Sequence, residues 1–225
     1  MEYKKIVVEK FGSPENLKIR SSFLNKIGFG QVRVRLLAAG VSFSDIMVQR
    51  GGYLLARKTP LTPGYDFVGI VESIGVGISD FKIGDYVGGL KPDLGCYSEY
   101  IDIDQGYLVS VPPEISPEKA VALILNYLTA SCALSKKAKI QKGESLLIHA
   151  AAGGVGTALM QMGNLLKLKM YGTASRKKHT VLKSYGVAPI DYQKEDFVNF
   201  VLNLEKSGVD IAIDSFGGDY IKRSY

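Results

Sequence analysis

The residues best suited to do chemistry form a small-residue turn, His149-Ala150-Ala151-Ala152-Gly153-Gly154-Val155-Gly156. Against the spacing G-x-G-x-x-G, Ala151 holds the first position, Gly153 the second and Gly156 the third. The second position lets the backbone approach a pyrophosphate, and the third lets a helix pack closely on a strand. The helix that follows presents N–H groups and the positive end of its dipole to the phosphates. Alone, such a pattern is weak. Here it lies between the apolar run Leu146-Leu147-Ile148 and a helical stretch with Val155, Leu159, Met162 and Leu166 on one face, and that context makes it strong. Ala152, Gly153, Gly154, Val155 and Gly156 are therefore expected to hold a dinucleotide. His149, ending a buried strand, is expected to be packed and hydrogen-bonded, with no catalytic role.

A second cluster bears on which dinucleotide. A unit that binds NAD places Asp or Glu about 20 residues beyond the glycines, to accept from the ribose 2′-OH. This chain has Gly172-Thr173-Ala174-Ser175-Arg176-Lys177-Lys178 there, with no carboxylate. Ser175 can donate a hydrogen bond, while Arg176 and Lys178 can balance a 2′-phosphate. Cations are disfavoured at a helix N-terminus, and a bound phosphate supplies a reason for them. The expected cofactor is NADP(H).

The elements that must position these groups follow two grammars. From Met1 to about Ile115 the chain reads as β-rich. Lys4-Lys5 leads into a first strand at Ile6-Val7-Val8, too short for the apolar region of a signal peptide. Gln31-Val32-Arg33-Val34-Arg35-Leu36 alternates as a half-buried strand should, and Phe67 to Ile74 is rich in β-branched residues. Gly51-Gly52, Pro63-Gly64, Gly84-Asp85 and Gly88-Gly89 punctuate these runs as turns, which predicts a small barrel-like or sandwich domain. Ser116-Pro117-Glu118 then starts a helix, and strands alternate with helices. Strands are expected at 146–148, 170–174, 188–192 and 209–214, with helices over 176–185 and 195–206. That alternation predicts a parallel sheet with helical crossovers.

Composition closes off several function classes. Apolar residues make up 46% and charged residues 22% of the 225, as in a soluble globular protein. No apolar run approaches the roughly 20 residues that span a bilayer, so membrane insertion is not expected. Cys96 and Cys132 give neither metal spacing nor a disulfide framework, and a reducing, cytoplasmic setting is the default. The net charge of +6 is spread along the chain with no interleaved aromatic pattern, which argues against nucleic acid as a partner.

Taken in order, several segments resemble the medium-chain dehydrogenase/reductase superfamily. Within it, the chain is most similar to the zinc-free, zeta-crystallin-like quinone oxidoreductases. These segments are Gly40-Val41-Ser42-Phe43-Ser44-Asp45, Pro63-Gly64-Tyr65-Asp66-Phe67-Val68-Gly69, Gly84-Asp85-Tyr86-Val87, Asn126-Tyr127-Leu128-Thr129-Ala130, the glycine turn, and Asp214-Ser215-Phe216-Gly217-Gly218. Asn126-Tyr127, Gly172-Thr173-Ala174-Ser175 and Lys178-His179 look closest to the subgroup named after a vesicle amine transport protein. The resemblance implies an α/β chain: a GroES-like, β-rich catalytic domain over 1–123, then a Rossmann doubly wound parallel-sheet NADP-binding domain over 124–225. The active site would lie in the cleft between them.

The resemblance also speaks to individual residues. The positions that match the catalytic zinc ligands of metal-dependent relatives are Ser42, Tyr65 and Leu125, a set that makes no zinc site. No metal is expected, and without one alcohol oxidation loses its electrophile. Hydride transfer to a small-molecule quinone or enone, which carries its own electron sink, remains feasible. Resemblance puts Ser42, Asp45, Tyr53, Tyr65 and Asn126 near the nicotinamide or acceptor, with the two tyrosines able to hydrogen-bond a developing enolate or hydroquinone oxygen. Packing of these tyrosines at the rim, and a structural role for Asp45, are equal readings. For the cofactor it adds Thr129 and Tyr192 to the glycines, Ser175 and Lys178. Quinone reductases often have Asn where this chain has Ser42.

Relatives of that kind continue for roughly another 100 residues, so the Rossmann domain is expected to be incomplete at its C-terminus. An open edge at the fourth strand invites pairing with another chain, a homodimer included. Two readings follow: an NADPH-dependent quinone or enone oxidoreductase, or a non-catalytic NADPH-binding homologue or scaffold.

Overall fold

The computed structural model describes residues 1–53 and 58–225. They cluster into two compact units, Met1–Leu125 and Asn126–Tyr225. In the first, β1 (Glu2–Val8) and β2 (Leu17–Phe23) form an antiparallel hairpin. A five-stranded antiparallel sheet follows, built from β3 (Gln31–Ala39), β4 (Asp66–Ile74), β5 (Tyr86–Leu90), β6 (Tyr100–Asp104) and β7 (Leu108–Ser110), in the order β6-β3-β4-β5-β7. Val32, Val34, Phe67, Val71, Val87, Ile101 and Ile103 fill its core. β3 departs from simple alternation, because Arg33 between the two valines is also buried. It faces Asp102 across the β3–β6 ladder and makes a two-pronged ion pair, 2.7 Å at Nε and 2.7 Å at Nη2. A buried guanidinium is tolerable only with such a partner.

The β-rich first half also contains a helix that the strand pattern did not foretell, α1 (Phe43–Arg50). Its start is a capping box: the Asp45 carboxylate accepts from the Ser42 amide at 2.9 Å and from the Ser42 hydroxyl at 2.7 Å. Gly51 ends it in the left-handed region, φ 81°. With only eight residues and little apolar periodicity, its signal was the cap alone.

α2 (Pro117–Ser131) runs across the division between the units, and its continuation Cys132–Ala138 is a π-helical stretch. The second unit then alternates as expected: β8 (Ser145–Ile148), α3 (Gly154–Leu165), β9 (Lys169–Ala174), α4 (His179–Ser184), β10 (Ala188–Asp191), α5 (Phe197–Leu204), β11 (Ile211–Ile213) and α6 (Asp219–Ser224). The helix foreseen from Arg176 opens instead as a 3-10 turn over Arg176–Lys178 before α4. β11 is shorter than foreseen, because the Asp210 side chain is engaged by Ser145, whose amide and hydroxyl donate to it at 2.8 and 2.6 Å.

The four strands are parallel in the order β10-β9-β8-β11. All four residues of β8 are buried, and their alternation explains the layers. Leu146 and Ile148 join Leu159 and Met160 of α3 and Leu182 of α4, while Leu147 joins Tyr171, Ile190, and Phe197 and Val201 of α5. Each such side chain contributes roughly 1.5–3 kcal/mol on burial. With helices on both faces of a parallel sheet, the second unit has the doubly wound, Rossmann-like architecture, following a β-rich first unit. The outer strand β10 contains Pro189, a residue suited to a sheet edge. Among the described residues, no helix is long and apolar enough to cross a membrane.

Candidate functional site

Strand order in the second unit reverses at β8: β9 and β10 lie on one side and β11 on the other. In open α/β sheets, ligands bind outside the carboxyl ends of the strands at such a switch point. A cavity of about 380 Å³ lies there. Ala150, Ala152 and Gly153 line it from the turn after β8, and Thr173, Ala174, Ser175 and Lys178 from the end of β9. Tyr192 lines it after β10, and Phe216 and Tyr220 after β11.

The turn is shaped by close approaches. Gly153 is the extended N-cap of α3 and has no side chain to occupy the first-turn amides. A Cβ on Gly156 would stand 2.4 Å from the Ala151 carbonyl oxygen and 2.6 Å from that of Ala150. Only glycine lets α3 start this close to the strand end, which is the packing role of the third glycine. A Cβ on Gly154 would stand 2.7 Å from Asn126 Oδ1. Ala150 takes a left-handed conformation, φ 52°, costing roughly 1–2 kcal/mol. Thr173 holds it there: its hydroxyl accepts from Ala150 N–H at 3.3 Å, and its carbonyl accepts from Ala151 N–H at 3.0 Å.

His149 is buried, as expected of it. Nδ1 pairs with Thr173 Oγ1 at 3.1 Å and Nε2 with Ser224 Oγ at 3.0 Å, and the ring sits edge-on to Phe197 and Tyr220. Burial lowers its pKa, with Asp214 opposing and Arg223 reinforcing the shift. Burial thus favours the uncharged ring, packed behind the turn.

Of the proposed cofactor residues, the structure brings Ala152, Gly153, Ser175, Lys178 and Tyr192 together around one cavity. Gly154, Val155 and Gly156 form the first turn of α3 just behind it. Arg176 is exposed in the 3-10 turn and Thr129 is exposed on α2, and neither lines the cavity. Sequence reasoning missed Thr173, Phe216 and Tyr220 as lining residues. The polar residue next to the end of β9 and the aromatic residues after β11 were the available signals. Among the described residues, no carboxylate lines the cavity, and Lys178 is the cation that does. Asp191, which ends β10, is buried and accepts from Gln193 N–H at 3.2 Å.

A second polar group lies in the first unit. Asp45 is buried at the start of α1; besides the Ser42 donors, it accepts from Gly64 N–H at 3.1 Å and so ties α1 to the residue before Tyr65. The Ser42 hydroxyl also lies 2.6 Å from that of Ser44. Tyr65 is buried, with its ring 5.7 Å from that of Tyr53 in an edge arrangement. Its hydroxyl has no hydrogen-bond partner among the described residues. Burial, with Tyr53 and Asp45 beside it, pushes the Tyr65 phenol well above its ordinary range. Asp66, next in sequence, was missed. It is 4% exposed, and its carboxylate accepts from Leu125 N–H at 3.3 Å. Burial raises its pKa to about 6 against the Leu125 bond, and Asp45 adds to the rise. Among the described residues, no three His, Cys, Asp or Glu side chains are grouped to hold a metal ion.

Residues 28–113 match the alcohol dehydrogenase GroES-like domain. The synaptic vesicle membrane protein VAT-1 homolog of Rattus norvegicus is 36% identical over 224 residues, covering 98% of this chain and 55% of that protein. The crystal structure of the Pseudomonas syringae pv. Tomato DC3000 quinone oxidoreductase superposes with a TM-score of 0.93 at 34% identity, covering 99% of this chain and 69% of that one. The CurK enoyl reductase superposes at 0.92 with 31% identity, covering 99% and 70%. The chain belongs to the medium-chain dehydrogenase/reductase superfamily, in its zeta-crystallin-like, VAT-1-like branch. It spans about half the length of the curated relatives it matches. Membership implies a nicotinamide cofactor.

Proposed function

We propose that this chain carries the NADP(H)-binding and acceptor-binding groups of a zinc-independent quinone or enone reductase. The observation that carries the reading is the cavity beyond β9, lined by Gly153, Ser175, Lys178 and Tyr192 and, among the described residues, by no carboxylate. A 2′-hydroxyl would find no anionic acceptor there, whereas a 2′-phosphate would find a cation and two hydroxyl groups. Gly153 and the first-turn amides of α3 suit the pyrophosphate. When bound, the dinucleotide supplies the hydride.

In the first unit, Tyr65 and Tyr53 are the proposed donors to the acceptor's carbonyl oxygen, since a buried phenol without a partner is poised to gain one. Asp45 holds Ser42 and Gly64 in place and so positions these groups. The donor set at the positions matching zinc ligands suits no metal: Leu125 offers no side-chain donor, and the Ser42 hydroxyl is engaged by Asp45 and Ser44. The named resemblance to quinone oxidoreductases and an enoyl reductase supports the acceptor class.

Calorimetric titration with NADPH and NADH tests the cofactor. NADPH should bind at least about tenfold tighter, and Lys178→Ala should remove most of that difference while leaving NADH unchanged. Equal affinities would overturn the assignment. NADPH oxidation against a quinone and enone panel tests the chemistry; tight binding with no turnover would leave a non-catalytic NADPH-binding role.

A further inference from the structure

The glycine turn is held on three sides. From β9, Thr173 takes the amides of Ala150 and Ala151. From beneath, Gly156 rests on the carbonyl groups of the same two residues. The third side is a side chain. A Cβ on Gly154 would stand 2.7 Å from Asn126 Oδ1 and 2.9 Å from both Cγ and Nδ2. The carboxamide of α2 therefore occupies the volume that any side chain at the first residue of α3 would need.

Gly154 opens α3 and directly follows Gly153, which lines the cavity. We infer that Asn126 is a positioning residue for the dinucleotide turn: its carboxamide, seated on Gly154, sets the direction of the first amides of α3. The inference rests on the reading that this turn holds a pyrophosphate. It gives Asn126 a role through the turn, distinct from contact with reacting atoms. Asparagine suits the place because it is short and planar, with a donor and an acceptor at one end. A longer side chain would push α3 away, and a smaller one would leave the turn loose on that side.

Gly154→Ala, Asn126→Ala and the double variant separate this role from general damage. Each is titrated with NADPH and with adenosine 2′-monophosphate, which carries the 2′-phosphate but no pyrophosphate. Gly154→Ala should weaken NADPH about tenfold, and Asn126→Ala several-fold. In the double variant, alanine at 154 should add almost nothing, because the carboxamide it would strike is gone. Adenosine 2′-monophosphate should bind all four proteins within about twofold, since its groups lie at Ser175 and Lys178. Penalties that multiply, an Asn126→Ala protein with unchanged NADPH affinity, or a parallel loss of both nucleotides would each overturn the role of Asn126. Wild-type protein that binds neither nucleotide would overturn the underlying reading, and this inference with it.

Discussion

Gly156→Ala sets two opposed effects against each other, and the structure decides the sign. Within a helix, alanine is favoured over glycine by about 1 kcal/mol. Against that gain, the new Cβ would lie 2.4 Å from the Ala151 carbonyl oxygen, 2.6 Å from its carbonyl carbon and 2.6 Å from the Ala150 oxygen. Ordinary contact begins at 3.4 Å, so the backbone must retreat by about 1 Å at the closest point. All three atoms are main chain, so no side chain can swing aside. Overpacking of this kind costs roughly 1–3 kcal/mol, and the rigid neighbours place this case at the top of the range. The net effect is a destabilisation of about 2 kcal/mol, a fall in Tm of roughly 4–8 °C for a chain of this size. Gly153→Ala is the control. Its Cβ would meet only the Ala150 oxygen, at 3.2 Å, so its Tm should stay within about 2 °C of wild type. Its NADPH affinity should nonetheless fall, because the new methyl stands where the pyrophosphate is proposed to lie. Thermal unfolding by circular dichroism gives the first quantity. Fluorescence of bound NADPH gives the second, with no tryptophan in the chain to interfere. A Gly156→Ala protein that melts at or above wild type would refute the close-approach reasoning.

Three further outcomes follow from the first unit. Asp66 titrates at about 6 in the folded protein, against about 4 in an unfolded chain, so the native state holds its proton more tightly. Its contribution is fully present below about pH 4 and lost as pH rises to about 6, with a ceiling of roughly 3 kcal/mol. The difference in Tm between wild type and Asp66→Asn should trace that fall, and a flat difference across pH 4–7 would sink the idea. Asp45→Ala strips the acceptor from the Ser42 and Gly64 amides and should cost about 2–3 kcal/mol in denaturant unfolding; a loss below about 1 kcal/mol would contradict the clasp. Tyr65→Phe removes a buried, unpartnered hydroxyl, so stability should hold or rise by up to about 1 kcal/mol while quinone reduction by NADPH slows. Lower stability with unchanged turnover would reverse that assignment.

The second unit was legible because period and punctuation agreed. β8 is a four-residue apolar run, α3 begins at a glycine, and β9 ends at the Ser175 segment. The cavity residues Gly153, Ser175, Lys178 and Tyr192 could be named because each follows the end of a strand, where such folds bind ligands. Phe216 and Tyr220 could not, because their place depends on β11 returning beside β8, which no local pattern specifies. In the first unit, α1 was hidden by its length and Arg33 by its partner. Alternation predicts an outward arginine, and only the β3–β6 register brings Asp102 opposite it. Asp66 was obscure for a related reason: a carboxylate inside an apolar strand declares burial only once Leu125 is seen to donate to it.

The same strand order has an entropic side. β9 and β10 are each laid beside the strand before them, so that flank grows by short crossovers, and Pro189 marks its outer strand. β11 must instead double back to β8, and the Ser145–Asp210 bonds that fix it join residues 65 apart. Closing a loop of that length costs more chain entropy than pairing neighbouring strands, by roughly 0.6 kcal/mol for each doubling of loop length. With three residues, β11 is the shortest strand of this sheet, and its place beside β8 rests on those long-range bonds. The wall of the cavity that carries Phe216 and Tyr220 follows β11, so its position depends on the pairing of two residues far apart in the chain.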